Sequence, residues 1–405
     1  MKPIVRAGRM KPVHSDIRGP LFVEAMKRQK QGIDILKLNT GNPATFGFGL
    51  PDSIKNALME HMQDGVGYCD FKGMPQARRA ICDYETSKGI KGITPDDVFI
   101  GNGVSEVVSF ALTPLLNDGD EVLVPSPSYS LWGNSVYLED GKPVFYTCDE
   151  QANWYPDIQD IRSKITDKTK AIVIINPNNP TGVLYPKELL LEIIQIARES
   201  GLLIFADEIY DRLVMDGKQH ISLASLTEDV PVITLNGLSK SHCLCGYRCG
   251  WMVISGPREL TEDYRQGIIQ LTSLRLCANT MAQIVIPAAL DDMETPASMV
   301  RPGGRIYEQR EATVRELEKI DGLSFVKNDA AFYVFPKLDV KKFNITNDKQ
   351  FAHDLLDVTN ILLVPGSGFD WKDPDHFRIV MLPQADILSD AIRRMGTFLD
   401  GYKQK

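Results

Sequence analysis

A lysine and an arginine lie eight positions apart between two apolar strands. Lys240 follows a predicted strand at residues 232–235, and Arg248 precedes another at residues 251–254. A buried lysine is costly to desolvate unless its charge is used or removed, and a Schiff base with an aldehyde cofactor removes that charge. The arginine can then bind a phosphate group of the same cofactor. The alternative is a lysine that ends a strand and points to solvent.

An acid follows another apolar run in the same way. Asp207 comes directly after residues 202–206, and Tyr210 follows three positions later. A carboxylate at such a place is costly to bury unless it meets a cation, and a protonated pyridine nitrogen is one such cation. An acid that only starts a helix is the alternative, and Glu208 fits it well.

Polar residues follow five of the predicted strands. Ligands of open α/β sheets bind at the carboxyl ends of strands. We therefore expect one shared site beyond the strands that end at Asn102, Pro125, Asn176, Asp207 and Asn236.

Two further motifs favour an anionic ligand. A glycine-rich turn at residues 101–105 opens a predicted helix and presents free N–H groups that suit a phosphate, although Ser105 can also be a plain N-cap. Arg378 lies inside an apolar strand at residues 377–381 and needs an anionic partner, which a structural ion pair could also supply.

Composition excludes several classes of protein. The chain has 405 residues, 43% of them hydrophobic, and a net charge of −8, which argues against a nucleic-acid binder. Seven scattered cysteines indicate reduced thiols in the cytoplasm. Cys243, Cys245 and Cys249 cluster, but no matching ligand pair lies nearby, so we expect no metal. We also expect no membrane span and no signal peptide.

Hydrophobic periodicity places most of the elements around these motifs. Helices are predicted at residues 21–28, 51–62, 75–88, 157–165, 187–200, 258–290, 305–320 and 385–402. Strands are predicted at residues 33–38, 98–100, 121–124, 144–146, 171–175, 202–206, 232–235, 251–254, 323–326, 331–335, 361–364 and 377–381.

These motifs, taken in order from Gly41 to Arg378, resemble the class I and II aminotransferases. Two Asn-Pro pairs followed by Thr-Gly at residues 176–182 are a specific part of the likeness. The resemblance implies a fold-type I α/β transferase with a mostly parallel seven-stranded sheet and helices on both faces. It implies a large domain at 48–298, and a smaller α+β domain from 1–47 and 299–405.

The resemblance also implies pyridoxal 5'-phosphate and a role for each matching residue. Lys240, Asp207 and Tyr210 take the catalytic roles. Residues implied to bind the cofactor are Lys240, Gly103, Val104, Ser105, Tyr129, Asn179, Asp207, Tyr210, Ser239, Arg248 and, from the neighbouring subunit of a homodimer, Tyr68. Residues implied to bind the substrate are Gly41, Asn179 and Arg378. We expect the Asn179–Pro180 peptide to be cis.

Within the family, five segments are similar to those of bacterial alanine aminotransferases: residues 18–20, 42–43, 67–69, 236–240 and 275–279. This implies transfer of the amino group of L-alanine to 2-oxoglutarate, and we hypothesise that Arg18 contacts the distal carboxylate. A solvated arginine at a helix start is the alternative. Two positions depart from the family pattern: Gly237 stands where many relatives carry a phosphate-binding serine, and Cys249 replaces an aliphatic residue.

Other functions stay open at this level. Aspartate or branched-chain amino donors are possible with the same residues, and a C–S lyase of the same fold is a weaker alternative. A regulator of this fold carries a DNA-binding domain ahead of the transferase part, and the residues before Gly41 are too few for one. A binding protein without activity would be expected to lack Lys240.

Overall fold

A central sheet organises most of the chain. The computed structural model describes residues 3–405, so residues 1 and 2 of the predicted small domain lie outside the described part. In chain order the strands are β1 (Leu36–Lys37), β2 (Val98–Asn102), β3 (Glu121–Ser126), β4 (Lys142–Asp149), β5 (Tyr155–Pro156), β6 (Thr169–Ile175), β7 (Leu203–Asp207), β8 (Val232–Gly237), β9 (Cys249–Ser255), β10 (Leu323–Ser324), β11 (Tyr333–Val334), β12 (Lys337–Leu338), β13 (Ile361–Leu362), β14 (Val364–Pro365) and β15 (Phe377–Val380).

Helices cover both faces of this sheet and form much of the C-terminal part. They are α1 (Pro20–Lys30), α2 (Asp52–His61), α3 (Pro75–Ser87), α4 (Val104–Leu112), α5 (Leu131–Leu138), α6 (Ile158–Lys164), α7 (Lys187–Ser200), α8 (Leu238–Ser241), α9 (Arg258–Arg275), α10 (Thr280–Ile284), α11 (Ile286–Asp291), α12 (Glu294–Val300), α13 (Arg305–Leu317), α14 (Val340–Phe343), α15 (Asp348–Thr359) and α16 (Ala385–Leu399).

The large sheet has the strand order β2-β9-β8-β7-β6-β3-β4-β5. Strands β8, β7, β6, β3 and β4 are parallel to one another, whereas β9 is antiparallel to both of its neighbours. The predicted α/β class is therefore confirmed. The sheet has eight strands and not the expected seven, because positive φ angles at Asn153 and Trp154 turn the chain back and pair β5 with the end of β4.

Burial explains why the strand runs were easy to read in the sequence. Residues of β3, β8 and β9 are buried along their whole length, as expected for strands that are covered on both faces. Helix α7 packs one apolar stripe, which includes Leu190, Ile193 and Ala197, into the same core. Its predicted bounds, 187–200, are confirmed.

Several boundaries differ from the prediction for local reasons. The helical stretch at 258–290 is three helices, since Leu276 has a positive φ at the end of α9 and Asn279 caps α10. The strand predicted at 33–38 is only β1, because two residues of it pair with β13. Helices α5 and α15 were not predicted.

The apolar core is divided between two parts of the chain. Three clusters of buried side chains surround the large sheet. A fourth joins Leu38 to residues from Leu317 to Leu399. We propose on this basis that residues 48–298 form a large domain and that 1–47 and 299–405 form a small one.

Among residues 3–405, we find no single helix with the length and apolar character that a membrane crossing requires. One bent pair, α9 with the segment Thr280–Asp291, passes on length and composition alone, and its two parts meet at 119°.

Candidate active site

Lys240 lies in the short helix α8, directly after strand β8. Its Nζ donates a hydrogen bond to the carbonyl oxygen of Gly41 at 2.9 Å, and the thiol of Cys245 lies 3.9 Å away. Burial opposes the charged form of Lys240, but Tyr333 and Cys245 outweigh it, so the pKa of the amine lies above its ordinary value. The chain thus holds one amine at the carboxyl edge of the sheet, against the backbone of the N-terminal segment.

Gly41 lies where no side chain fits. A Cβ atom there would lie 2.2 Å from the hydroxyl of Tyr333 and 2.9 Å from the ring of Phe332. Both distances are shorter than any real contact of this kind. The absence of a side chain is therefore what lets the Gly41 carbonyl reach Lys240.

Asp207 ends strand β7 and is 5% exposed. One carboxylate oxygen accepts a hydrogen bond from Nε1 of Trp132 at 3.0 Å. Burial raises the pKa of Asp207 to about 6, although the Trp132 hydrogen bond lowers it. No lysine, arginine or histidine of the described residues forms an ion pair with this acid, so the site fits a cationic group brought by a ligand.

Arg378 is a second buried charge, 1% exposed, and forms no ion pair with an acid among residues 3–405. Its Nη1 donates to Oδ1 of Asn179 at 2.9 Å, and its other Nη donates to the carbonyl oxygen of Asn39. Its Nε has no partner within residues 3–405, and the guanidinium stacks on the ring of Tyr333 with its Cζ 4.6 Å from the ring centre. Such a group fits a ligand carboxylate.

Tyr333 joins the two halves of the site. Its hydroxyl hydrogen-bonds the hydroxyl of Tyr210 at 2.9 Å, and both rings are buried. The face of Tyr333 supports Arg378, while its hydroxyl lies beside Gly41. One aromatic side chain from β11 therefore sets the spacing of groups that come from β7, β15 and the N-terminal segment.

A second end of the site suits a phosphate. Gly103 has a φ of +83°, and a Cβ atom there would lie 2.3 Å from an Nη of Arg248. Val104 and Ser105 form the first turn of α4, where backbone N–H groups have no acceptor inside the helix. Arg248 is exposed and also has a positive φ, and its guanidinium donates to the carbonyl oxygen of Cys245 at 3.1 Å.

Three further predicted site residues are only partly buried or are exposed. Tyr129 is 36% exposed and lies near both the amine of Lys240 and the guanidinium of Arg378. Ser239 is half-buried beside Lys240. Tyr68 is 84% exposed on a loop, as a side chain that reaches a neighbouring subunit would be. The Asn179–Pro180 peptide is cis, as expected.

Close packing of two strands explains why residue 237, where many relatives carry a serine, is a glycine. A Cβ atom at Gly237 would lie 2.5 Å from the carbonyl oxygen of Cys249 on the paired strand β9. A serine at that position therefore requires β8 and β9 to move apart. The phosphate end of the site depends correspondingly more on Ser105, Ser239 and Arg248.

The clustered cysteines have separate partners. The thiol of Cys249 donates to Ala282, that of Cys245 donates to Ser239, and that of Cys243 lies 3.9 Å from the sulfur of Met299. All seven cysteines of the chain are free thiols.

Trp132, Tyr333 and Asn39 contribute to the site but were missed in the sequence. Trp132 lies in the first turn of the unpredicted helix α5, three positions after Tyr129. Tyr333 was predicted only as part of the strand at residues 331–335. Asn39 acts through its carbonyl oxygen, for which a sequence gives no signal.

Comparison with known proteins agrees with this geometry. The model of the family described as aminotransferase class I and II matches residues 33–392. The chain belongs to this family. Class I and II aminotransferases depend on pyridoxal phosphate.

Individual aminotransferases resemble the whole chain. Glutamate-pyruvate aminotransferase AlaA of Haemophilus influenzae is 50% identical, with all of both chains covered. Among solved structures, an aminotransferase from Escherichia coli matches with a TM-score of 0.98 at 47% identity over all of both chains. Alanine aminotransferase from Pyrococcus furiosus matches with a TM-score of 0.93 at 41% identity, over 98% of this chain and 100% of that one.

Burial of the Asp207 carboxylate, which suits a cationic ligand, should lower the stability of the folded protein without that ligand. Its folded-state pKa of about 6, against 3.8 for a free side chain, means that the folded protein holds the proton more tightly than the unfolded chain. The resulting loss of stability is absent below about pH 4, grows between about pH 4 and pH 6, and is constant above.

We therefore expect Asp207→Asn to stabilise the cofactor-free protein at pH 8 by roughly 3 kcal/mol, because the amide still accepts from Trp132 and carries no charge. Urea unfolding of both proteins at pH 8 and at pH 5 measures this difference. A gain that is as large at pH 5 as at pH 8 contradicts the assignment.

Proposed function

We propose that this aminotransferase moves the amino group of L-alanine to 2-oxoglutarate and releases pyruvate and L-glutamate. The observation that carries the proposal is the buried, unpaired guanidinium of Arg378, which shares a cleft with Lys240. Asn39 and Gly41, whose carbonyl oxygens hold these two side chains, are two residues apart. An α-carboxylate on Arg378 thus places its α-carbon on the side of Lys240. The names of the relatives support alanine and glutamate as substrates.

We propose that pyridoxal 5'-phosphate binds between Lys240 and Asp207. The unpaired acid fits its ring nitrogen, and Tyr210 and Asn179 fit its ring oxygen. Tyr129 offers a ring face for stacking. The turn at Gly103–Val104–Ser105, with Ser239 and Arg248, fits its phosphate. When bound, the cofactor supplies an electron sink for the charge that develops on the substrate α-carbon.

The chain's own groups then divide the work. Arg378 and Asn179 bind the α-carboxylate and fix the orientation of the amino acid. Lys240 takes the α-proton and returns it, as general base and then general acid. Asp207, held by Trp132, stabilises positive charge at the ring nitrogen. Tyr333 positions Tyr210 by a hydrogen bond and Arg378 by stacking.

We also propose a cytoplasmic homodimer with shared active sites. Tyr68 is one of several large exposed side chains, which include Val66, Leu274 and Leu276. The segment that carries Val66 and Tyr68 is linked to helix α10, since Thr280 donates to the carbonyl oxygen of Gly65 at 2.6 Å. Light scattering is expected to give twice the mass of the chain, and a monomer mass contradicts the shared site. Free thiols at every cysteine support a reducing compartment.

A single half-reaction tests the proposed function. The purified protein, loaded with cofactor, is mixed with L-alanine in the absence of any keto acid. We expect the visible absorption of the bound cofactor to change and one pyruvate to appear per active site. Reaction with aspartate and not alanine would keep the chemistry and reject the substrate. No visible absorption after cofactor is supplied would reject the role of Lys240.

Arg18 gives a prediction about the acceptor. Arg18 is exposed, and the carbonyl oxygen of its neighbour Ile17 accepts a hydrogen bond from Asn39, which itself holds Arg378. The side chain thus begins close to the carboxylate end of the cleft. We expect Arg18→Ala to raise the KM for 2-oxoglutarate about tenfold, the effect of about 1.4 kcal/mol, and to change the KM for pyruvate little. Equal changes for both keto acids contradict the contact.

A further inference from the structure

A buried group of charges lies behind the active site. Nζ of Lys88, at the end of α3, lies 2.6 Å from Glu85, 2.8 Å from Glu208 and 3.2 Å from Asp211. All three carboxylates are buried. Glu208, Asp211 and His220 have a spacing that could hold a metal ion, but the ammonium group of Lys88 already contacts both of these carboxylates.

The charged forms of Asp211 and Lys88 are both favoured in this group. Burial raises the pKa of Glu85. Burial also opposes ionisation of Asp211, but Lys88, His220 and the hydroxyl of Tyr84 hold the pKa of that acid below its ordinary value. Lys88 itself is kept charged, because the surrounding carboxylates outweigh its burial and raise its pKa. Asp211 is therefore a buried, ionised acceptor.

One oxygen of Asp211 accepts hydrogen bonds that cross between elements. Tyr84 of α3 donates to it at 2.5 Å, and Nδ2 of Asn236 in β8 donates to it at 2.7 Å. Oδ1 of Asn236 then accepts the backbone N–H of Gly237 at 2.7 Å. The orientation of the Asn236 amide is thus fixed, since its two ends face a pure acceptor and a pure donor.

This hydrogen bond connects two segments that the reaction needs. Asp211 directly follows Tyr210, and Asn236 lies four residues before Lys240. Gly237 is also the point at which β8 gives way to the helix that carries Lys240. The Asp211–Asn236 bond therefore ties the turn after β7, which carries Tyr210, to the end of β8, which leads into Lys240.

We propose that Asp211, which contacts Lys88, is a positioning residue that fixes Lys240 relative to Tyr210 through its hydrogen bond with Asn236. This inference rests on the proposed function, because positioning is useful only for a reaction at Lys240. Asp211 touches neither Lys240 nor the proposed ligand sites, so its effect passes entirely through the Asn236 amide and the Gly237 backbone.

Exchange of the two side chains provides the test. In Asn236→Asp two carboxylates face each other, so neither side chain can donate and the bond to Asp211 is lost. In Asp211→Asn/Asn236→Asp one carboxylate serves both donors again, so the bond returns with its direction reversed. We expect the single variant to lose about 30-fold in kcat with the KM for alanine within twofold, and the double variant to regain at least tenfold.

A second readout does not need activity. Hydrogen–deuterium exchange of the cofactor-free protein reports on the backbone at residues 236–241. We expect about tenfold faster exchange there in Asn236→Asp and near-normal exchange in the double variant. If the double variant does not fold, Asn236→Ala removes the same bond without adding a charge and must reproduce both the kcat loss and the faster exchange.

Asp97→Asn is the matched control. Asp97 is a buried acid bound to Arg265 at 2.6 Å, at the amino end of β2 and away from the carboxyl edge. It should lose stability with little change in kcat. Equal kcat losses in Asp97→Asn and Asn236→Asp, or no recovery in the double variant, would overturn the proposal. Failure of the alanine half-reaction in the unaltered protein would reject the proposed function alone, because the exchange measurement still reads the positioning.

Discussion

Replacement of Lys240 by alanine is expected to lower the rate of alanine–2-oxoglutarate transamination by about four orders of magnitude. The structure holds this amine against the Gly41 carbonyl in the cleft of Arg378, and general acid–base groups contribute up to about 10⁴-fold. Steady-state rates with both substrates, and the single-turnover half-reaction, measure the loss.

Two comparisons make the Lys240 result specific. Lys240→Arg keeps a positive charge in the cleft but cannot lose its proton near neutral pH, so it should be as inactive as Lys240→Ala. Cofactor should still bind to Lys240→Ala, more weakly, through the groups at Gly103, Ser105 and Arg248. A variant that keeps more than about 1% of the rate would show that another group moves the proton.

Arg378→Ala is expected to lower kcat/KM for every amino acid and keto acid by about 30-fold to 4,000-fold. That range corresponds to about 2–5 kcal/mol, the cost of truncating one partner of a buried, hydrogen-bonded charge pair. The loss should fall mainly on KM, because Arg378 holds the α-carboxylate in the ground state as well as in the transition state. Arg378→Lys should recover little, since an ammonium group cannot make two parallel hydrogen bonds to a carboxylate.

Arg310 supplies the matched control for Arg378. It is equally buried, but Asp216 accepts from both of its Nη atoms, at 2.7 and 2.6 Å, so its anion belongs to the chain. Arg310→Ala should lower the free energy of unfolding and leave the KM values unchanged. If Arg378→Ala behaves in the same way, Arg378 serves the fold and not the substrate.

The chemistry of single positions was readable from the sequence because it depends on local pattern. A lysine, an acid and an arginine each interrupt or directly follow an apolar run, and burial without a partner is costly wherever the chain folds. The same local logic predicted the sheet strands, the helix at 187–200 and the family. Roles for Lys240, Asp207 and Arg378 stay predictions until the variants are measured.

Tertiary structure alone decided which groups meet. Trp132 reaches Asp207 across 75 positions, Tyr333 reaches Tyr210 across 123, and Asn39 reaches Arg378 across 339. No local pattern encodes such pairs, because each depends on where separate elements pack. For the same reason the Asp211–Asn236 bond and the steric demand for glycine at 41 and 237 emerged only when the strands were placed side by side. Local sequence shows which polar or charged side chains need a partner when they are buried. The fold decides which partner each of them contacts.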